Sequence, residues 1–275
     1  MFAQAEFVTT LNGQPATAEP LTGLAFAGFA HFTAMQVRDG RIRGLDLHLK
    51  RLQQASLALF ANTMSEKRIC RYLADAVSTS PTDCSLLATL YSSAGEFTAN
   101  IQGEQLHLFV RTLPPSDGPS GPFALKSFIH QRHLAHIKHS GEVAKTYYLR
   151  QAAEQGFNDA VFVDQLGFIS EGSIWNIAFW DGESVIWPKA DYLLGTTMGI
   201  VQRQLSELHV PQQTRKVNLT DLASMQGAVL MNSWTPALPV YQIDEHAVPD
   251  STEFSALLRR AFEREPRVII PSSPA

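Results

Sequence analysis

The run LPPSDGPSGP (113–122) constrains this chain more than any other stretch, because four of its ten residues are proline and two are glycine. Proline fixes φ and lacks the backbone N–H that a helix interior or a central strand needs. Such a run cannot pack inside a regular element and reads as a linker. The chain is therefore expected to form two domains, 1–113 and 123–275, joined by a linker over 114–122. A length of 275 residues suits that division.

Before the linker, FVTTLNGQPA reads as a hairpin turning at Asn12-Gly13. AHFTAMQVRDGRIRGLDLH reads as a second hairpin around Asp39-Gly40. LHLKRLQQASLALFA carries Leu49, Leu52, Leu57, Leu59 and Phe60 at helical spacing. Ser65 is placed to cap a further helix with the apolar set Ile69, Tyr72, Leu73 and Ala76. SLLATLYSS and QLHLFVRTL read as strands, so this half is α+β. After the linker, FALKSFI reads as a strand and 144–155 as a helix ending at Gly156. VFVD, FIS, NIAFW and SVIWP follow as short strands. MGIVQRQLSEL and EFSALLRRAFERE read as amphipathic helices, the second closing the chain before a frayed PSSPA tail. There is no internal repeat.

Composition narrows the function classes. A net charge of −4 gives no electrostatic case for nucleic acid or an anionic membrane. No apolar run approaches the roughly 20 residues of a membrane span, and MFAQAEFVTTLNGQP has no signal-peptide pattern. Cys70 and Cys84 form no CxxC, which fits free thiols in a reducing cytoplasm. His130, His133, His136 and His139 recur every third residue, a spacing that sets four imidazoles around one ion on neither a helix nor a strand. No metal is expected.

The chemistry points to Lys138 in HLAHIKHSG and Glu171 in GFISEGSIWNIAFW. Between them a helix leads to the strand VFVD, a tight turn, and a second strand opening at Ile169. A lysine and a carboxylate held on neighbouring strands are what a pyridoxal phosphate enzyme needs. The amine condenses with the cofactor aldehyde, and the carboxylate keeps the ring nitrogen protonated so that the ring acts as an electron sink. Lys145 is the rival amine; it lies inside the helix and is expected to face solvent.

Five blocks, HLKRL (48–52), HLAHIKH (133–139), EQGFNDAVFVDQLGFISEGSIWNI (154–177), LLGTTMG (193–199) and LMNSWTPALPV (230–240), occur in the order found in the class IV aminotransferases. The chain resembles that family, the fold-type IV pyridoxal phosphate enzymes, which includes branched-chain and D-amino acid aminotransferases and aminodeoxychorismate lyase. The resemblance implies an α+β, two-domain fold like that of D-amino acid aminotransferase, with a small N-terminal α/β domain and a larger C-terminal mixed, β-barrel-like domain carrying helices. It implies pyridoxal 5'-phosphate as cofactor, Lys138 as the imine-forming lysine and Glu171 as the ring-nitrogen partner. Arg51, with Lys50 as its alternative, then anchors the phosphate bidentately. Thr196 and Thr197 present a helix N-terminus to the same anion, and Ser233 adds a hydroxyl.

The implied activity is amino transfer between an amino acid or amine and a 2-keto acid. An aminodeoxychorismate lyase-type elimination is the alternative. The family also implies a homodimer, in which first-domain residues of one subunit complete the site of the other. Several positions depart from family patterns. Met198 stands where many members have arginine, and YSSAGEFTANIQ lacks the arginine and histidine of D-amino acid enzymes. SGEVA lacks the branched-chain tyrosine and the Asn-Arg pair of the lyases, although HLAHIKH and Asn232 with Pro236 are lyase-like. Phe32, Tyr91, Trp175 and Trp234 are candidate walls of an apolar substrate pocket.

Overall fold

Asn12 and Gly13 both adopt positive φ, 53° and 81°, and turn strand β1 (Thr9–Leu11) back into β2 (Gln14–Pro15). An Asn-Gly pair adopts that conformation at low cost, and its twist matches that of the flanking strands. The computed structural model describes residues 6–26, 28–94, 96–99 and 105–272. Helix α1 (Ala18–Phe26) goes beyond the sequence expectation; Pro20 lies in its first turn, where the missing N–H is not needed. Strand β3 (Ala30–Val37) reaches β4 (Arg41–Arg43) through Asp39-Gly40, again with both φ positive, at 54° and 68°. Helices α2 (Leu45–Phe60) and α3 (Glu66–Thr79) follow, then strands β5 (Cys84–Ser92) and β6 (Leu106–Leu113).

Contacts divide the chain into two compact units. The first holds the described residues through Ser116, the segment Ile137–Glu142 and the described residues from Pro266. Its antiparallel sheet runs β2-β1-β6-β5-β3. Helix α2 buries Leu45, His48, Leu49, Leu52, Ser56 and Phe60, a helical stripe. Leu57, expected on that stripe, is instead 55% exposed, and Ser56 takes the buried place. Ser65 is the N-cap of α3, although its side chain makes no capping bond.

The second unit holds Asp117–His136 and Val143–Glu265. Strand β7 (Phe123–Ile129) and β8 (Asp159–Val163) run parallel, joined through helix α4 (Val143–Glu154). Parallel neighbours require such a crossover. Gly156, with φ 84°, follows the end of α4 as expected. Next come β9 (Ile169–Gly172), β10 (Asn176–Trp180), β11 (Val185–Pro188), helix α5 (Thr196–Glu207) and β12 (Gln212–Arg215). A 3-10 turn (Leu219–Ser224), β13 (Gly227–Met231), β14 (Leu238–Ile243), β15 (His246–Ala247) and helix α6 (Thr252–Arg264) complete it. Its nine-stranded mixed sheet runs β12-β11-β10-β13-β14-β7-β8-β9, with β15 on β14. Strand β14 contains Pro239, yet lies inside the sheet. Its pairing with β7 begins only at Val240, past the proline.

Helix α6 does not close the chain. Strand β16 (Arg267–Ile269) follows it and pairs antiparallel with β4 in the first unit. Residues 273–275 of the expected tail lie outside the described residues.

Candidate active site

Two groups of chemically capable side chains stand out, one within each unit. In the first unit, the segment around Lys138 lies along the free edge of β3. Phe32 N–H donates to the Lys138 carbonyl at 2.9 Å, and Ser140 N–H to the Ala30 carbonyl at 2.8 Å. His31 and His139 form the bridge between them. An edge strand presents unpaired backbone groups, and this segment satisfies part of them. The Lys138 ammonium stands 4.8 Å from the centre of the Phe32 ring. His139 Nε2 lies 3.0 Å from Glu142 Oε1.

Behind β3 the polar side chains are buried and paired. His31 Nε2 meets Ser56 Oγ at 2.9 Å, and Thr33 Oγ1 meets His48 Nδ1 at 2.7 Å. Burial pushes His31 down to about 4. Burial, with the Arg51 charge as a second cause, pushes His48 down to about 3. Arg51, on the same helix as His48, is lowered to about 10 by burial and stays a cation at neutral pH.

In the second unit, Glu171 sits on β9 with its carboxylate 4% exposed. Its Oε1 lies 3.4 Å from Arg132 Nη1 and 3.6 Å from Lys145 Nζ. Its Oε2 accepts the Leu193 N–H at 3.4 Å. Arg132 is held by a 2.7 Å bond from Nη1 to the Ala135 carbonyl, which closes the turn at 133–136. Burial and the Glu171 charge raise the Tyr192 hydroxyl above its usual value. Lys145 therefore does not face solvent, as its place in a helix had implied. Its side chain is 12% exposed and turns toward the strands packed on α4.

The loop Leu193–Gly195 connects this carboxylate to the start of α5. Asn176 Nδ2 donates to the Leu193 carbonyl at 2.7 Å, and Gly195 is the N-cap. Thr196 and Thr197 open the helix and are buried; the Thr197 hydroxyl donates to the Asn232 carbonyl at 2.9 Å. That bond brings Thr197 beside the 232–235 loop, where Ser233 is half-buried. Asn232 Oδ1 accepts the N–H groups of Trp234 and Thr235 and shapes the loop.

The four pocket candidates separate. Phe32 is half-buried beside Lys138. Tyr91 donates its hydroxyl to the Pro20 carbonyl and stacks on His107. Trp175 is 3% exposed in the hydrophobic core of its unit, with its Nε1 donating to Asp159 at 2.7 Å. Trp234 is 41% exposed. The rings of Tyr91 and Trp175 are thus engaged in packing and fixed bonds. Residues 95 and 100–102 of the YSSAGEFTANIQ stretch lie outside the described residues. The histidines at 130, 133, 136 and 139 do not converge: His130 packs against Tyr148 and Phe162, while His133 and His136 are exposed. Among the described residues no group of three His, Cys, Asp or Glu side chains gathers as metal ligands. Arg132 escapes sequence reasoning, since no spacing or periodicity marks it.

The second unit's donors suit one type of ligand. Every partner of the buried Glu171 carboxylate stands at 3.4–3.6 Å, longer than a strong charge-assisted bond. A carboxylate accepts about four hydrogen bonds, so capacity remains for a closer N–H. One short loop away, the N-terminus of α5 favours an anion. A ring with a protonated nitrogen and a phosphate fits this donor set.

A family model described as amino-transferase class IV matches residues 30–243. Branched-chain amino acid aminotransferase from Escherichia coli superposes with a TM-score of 0.81 at 14% identity, covering 98% of this chain and 97% of that one. The branched-chain aminotransferase of the archaeon Thermoproteus uzoniensis, solved with norvaline, gives 0.80 at 17% identity over 95% and 96%. A hypothetical aminotransferase from Mycobacterium tuberculosis in its PLP-bound form gives 0.75 at 23% identity over 92% and 98%. No curated protein matches the chain.

Proposed function

The chain belongs to the class IV aminotransferases, and from that premise we propose that it moves an amino group between an amino acid or amine and a 2-keto acid with the help of pyridoxal 5'-phosphate. The observation that carries the proposal is the buried, loosely held Glu171 carboxylate one loop from the N-terminus of α5. Bound pyridoxal phosphate supplies an aldehyde that takes up amines and a ring that withdraws electrons from the carbon bearing the nitrogen.

The chain's residues divide the remaining work. Lys138 supplies the amine that holds the cofactor and then carries a proton to and from the substrate α-carbon. Glu171 accepts the hydrogen bond of the ring nitrogen. Thr196, Thr197 and the backbone N–H groups opening α5 hold the phosphate, Ser233 adds its hydroxyl, and Arg51 balances the charge. The position of Lys145 supports Lys138 as the condensing amine. Lys145 is engaged with Glu171, the carboxylate that would hold the ring nitrogen, and so would not be the amine that takes up the aldehyde. Phe32 and Trp234 offer apolar walls for the substrate. The proposal includes a homodimer in the cytoplasm. Two free, buried cysteines fit a reducing compartment, and among the described residues no helix is long and apolar enough to cross a membrane.

The test is spectroscopic. Adding amino donors one at a time to the yellow protein, without acceptor, should bleach the aldehyde band as the aminomethyl form accumulates. Elimination with the aldehyde band retained would favour a lyase. Sedimentation of an active monomer at micromolar concentration would remove the dimer from the proposal.

A further inference from the structure

A buried ionised carboxylate needs compensating charge or it becomes costly. Glu171 receives two cations on the same oxygen, Arg132 at 3.4 Å and Lys145 at 3.6 Å. Their side chains are only 3% and 12% exposed, so solvent screens neither contact strongly. Arg132 is also bound to the Ala135 carbonyl, and Lys145 reaches the same oxygen from the first turn of α4.

We propose that Lys145 is a positioning residue for the ring nitrogen of the cofactor: together with Arg132 it holds the buried Glu171 carboxylate in place as the acceptor for that nitrogen. This rests on the cofactor reading given above and deepens it.

The test is a double-mutant cycle on Lys145→Met and Glu171→Gln, read in two ways. In urea unfolding of the cofactor-free protein, K145M lowers the midpoint when Glu171 is present and has little or no effect in the E171Q background. In equilibrium dialysis with pyridoxal phosphate, K145M weakens binding about tenfold, K145R recovers most of the loss, and K145M adds nothing to E171Q. A lysine that merely packs its stem gives equal losses in both backgrounds, and that result overturns the proposal, as does unchanged cofactor affinity in K145M. If K145M does not fold, K145Q takes its place in the same cycle. Wild-type protein that binds no cofactor overturns the cofactor reading and this proposal with it. Tight binding without Lys145–Glu171 coupling overturns this proposal alone.

Discussion

Asn176 Oδ1 fills the space that a Cβ on Gly195 would need, while Asn176 Nδ2 donates to the Leu193 carbonyl at 2.7 Å. The backbone at Gly195 is extended, with φ −64° and ψ 144°, so any residue could adopt its conformation. Space alone requires glycine. Gly195→Ala should push the Asn176 amide off Leu193 and disturb the start of α5. The expected cost is about 1–3 kcal/mol of stability, together with weaker binding of pyridoxal phosphate. Urea unfolding and dialysis check both; wild-type values in each would show that the loop relaxes freely.

Borohydride reduction of the yellow protein, followed by peptide mapping, should place the pyridoxyl group on Lys138. The expectation follows from the lysine's seat against the edge of β3 and from the engagement of Lys145 with Glu171. A label on Lys145 would reverse the assignment of the two lysines.

Arg51→Ala should weaken cofactor binding by roughly 1.5–3 kcal/mol, or about one to two decades. Its guanidinium is desolvated, which strengthens its pull on a phosphate. Unchanged affinity in equilibrium dialysis would remove Arg51 from the phosphate site.

Stability should fall as the solution is acidified below neutral. His31 and His48 are held neutral in the folded state, at about 4 and about 3, against 6.5 for an ordinary histidine. Below pH 6.5 the unfolded chain binds protons at these positions that the folded chain does not, so stability is whole above that pH and is lost on the way down toward the folded values. Each histidine should account for on the order of 2 kcal/mol at pH 5. Urea unfolding at pH 7.5, 6 and 5 measures the slope, and His31→Gln with His48→Gln should flatten it. An equally steep slope in the double variant would assign the acid sensitivity to other groups.

D-Alanine and D-glutamate should be poor donors compared with hydrophobic ones. The stretch YSSAGEFTANIQ has no arginine or histidine to pair with a substrate carboxylate, and an unpaired buried carboxylate is costly. A side-by-side kcat/KM comparison with D-glutamate as the best donor would defeat this reading, leaving an arginine from elsewhere to hold the carboxylate.

Turns, and the helices other than α1, were legible because their hydrogen bonds close within a few residues. Asn12-Gly13, Asp39-Gly40 and Gly156 each set a local backbone conformation, and the stripe on α2 follows from its own spacing. The motifs around Lys138, Glu171 and Thr196 were legible for the same reason, since each is a short continuous string. Strand pairing is a different matter. Strand β14 pairs with β7 across more than a hundred residues of chain, and β16 with β4 across more than two hundred. Three residues such as Arg267–Ile269 carry no local sign of a distant partner. The same holds for side chains. Lys145 lies on a helix whose sequence leaves it free to face water, and only the tertiary packing sets the buried Glu171 carboxylate beside its ammonium. Local sequence determined most of the turns and helices and the short motifs around Lys138, Glu171 and Thr196. The tertiary structure decided which charges are buried together, because the cost of burying a charge depends on groups far away along the chain.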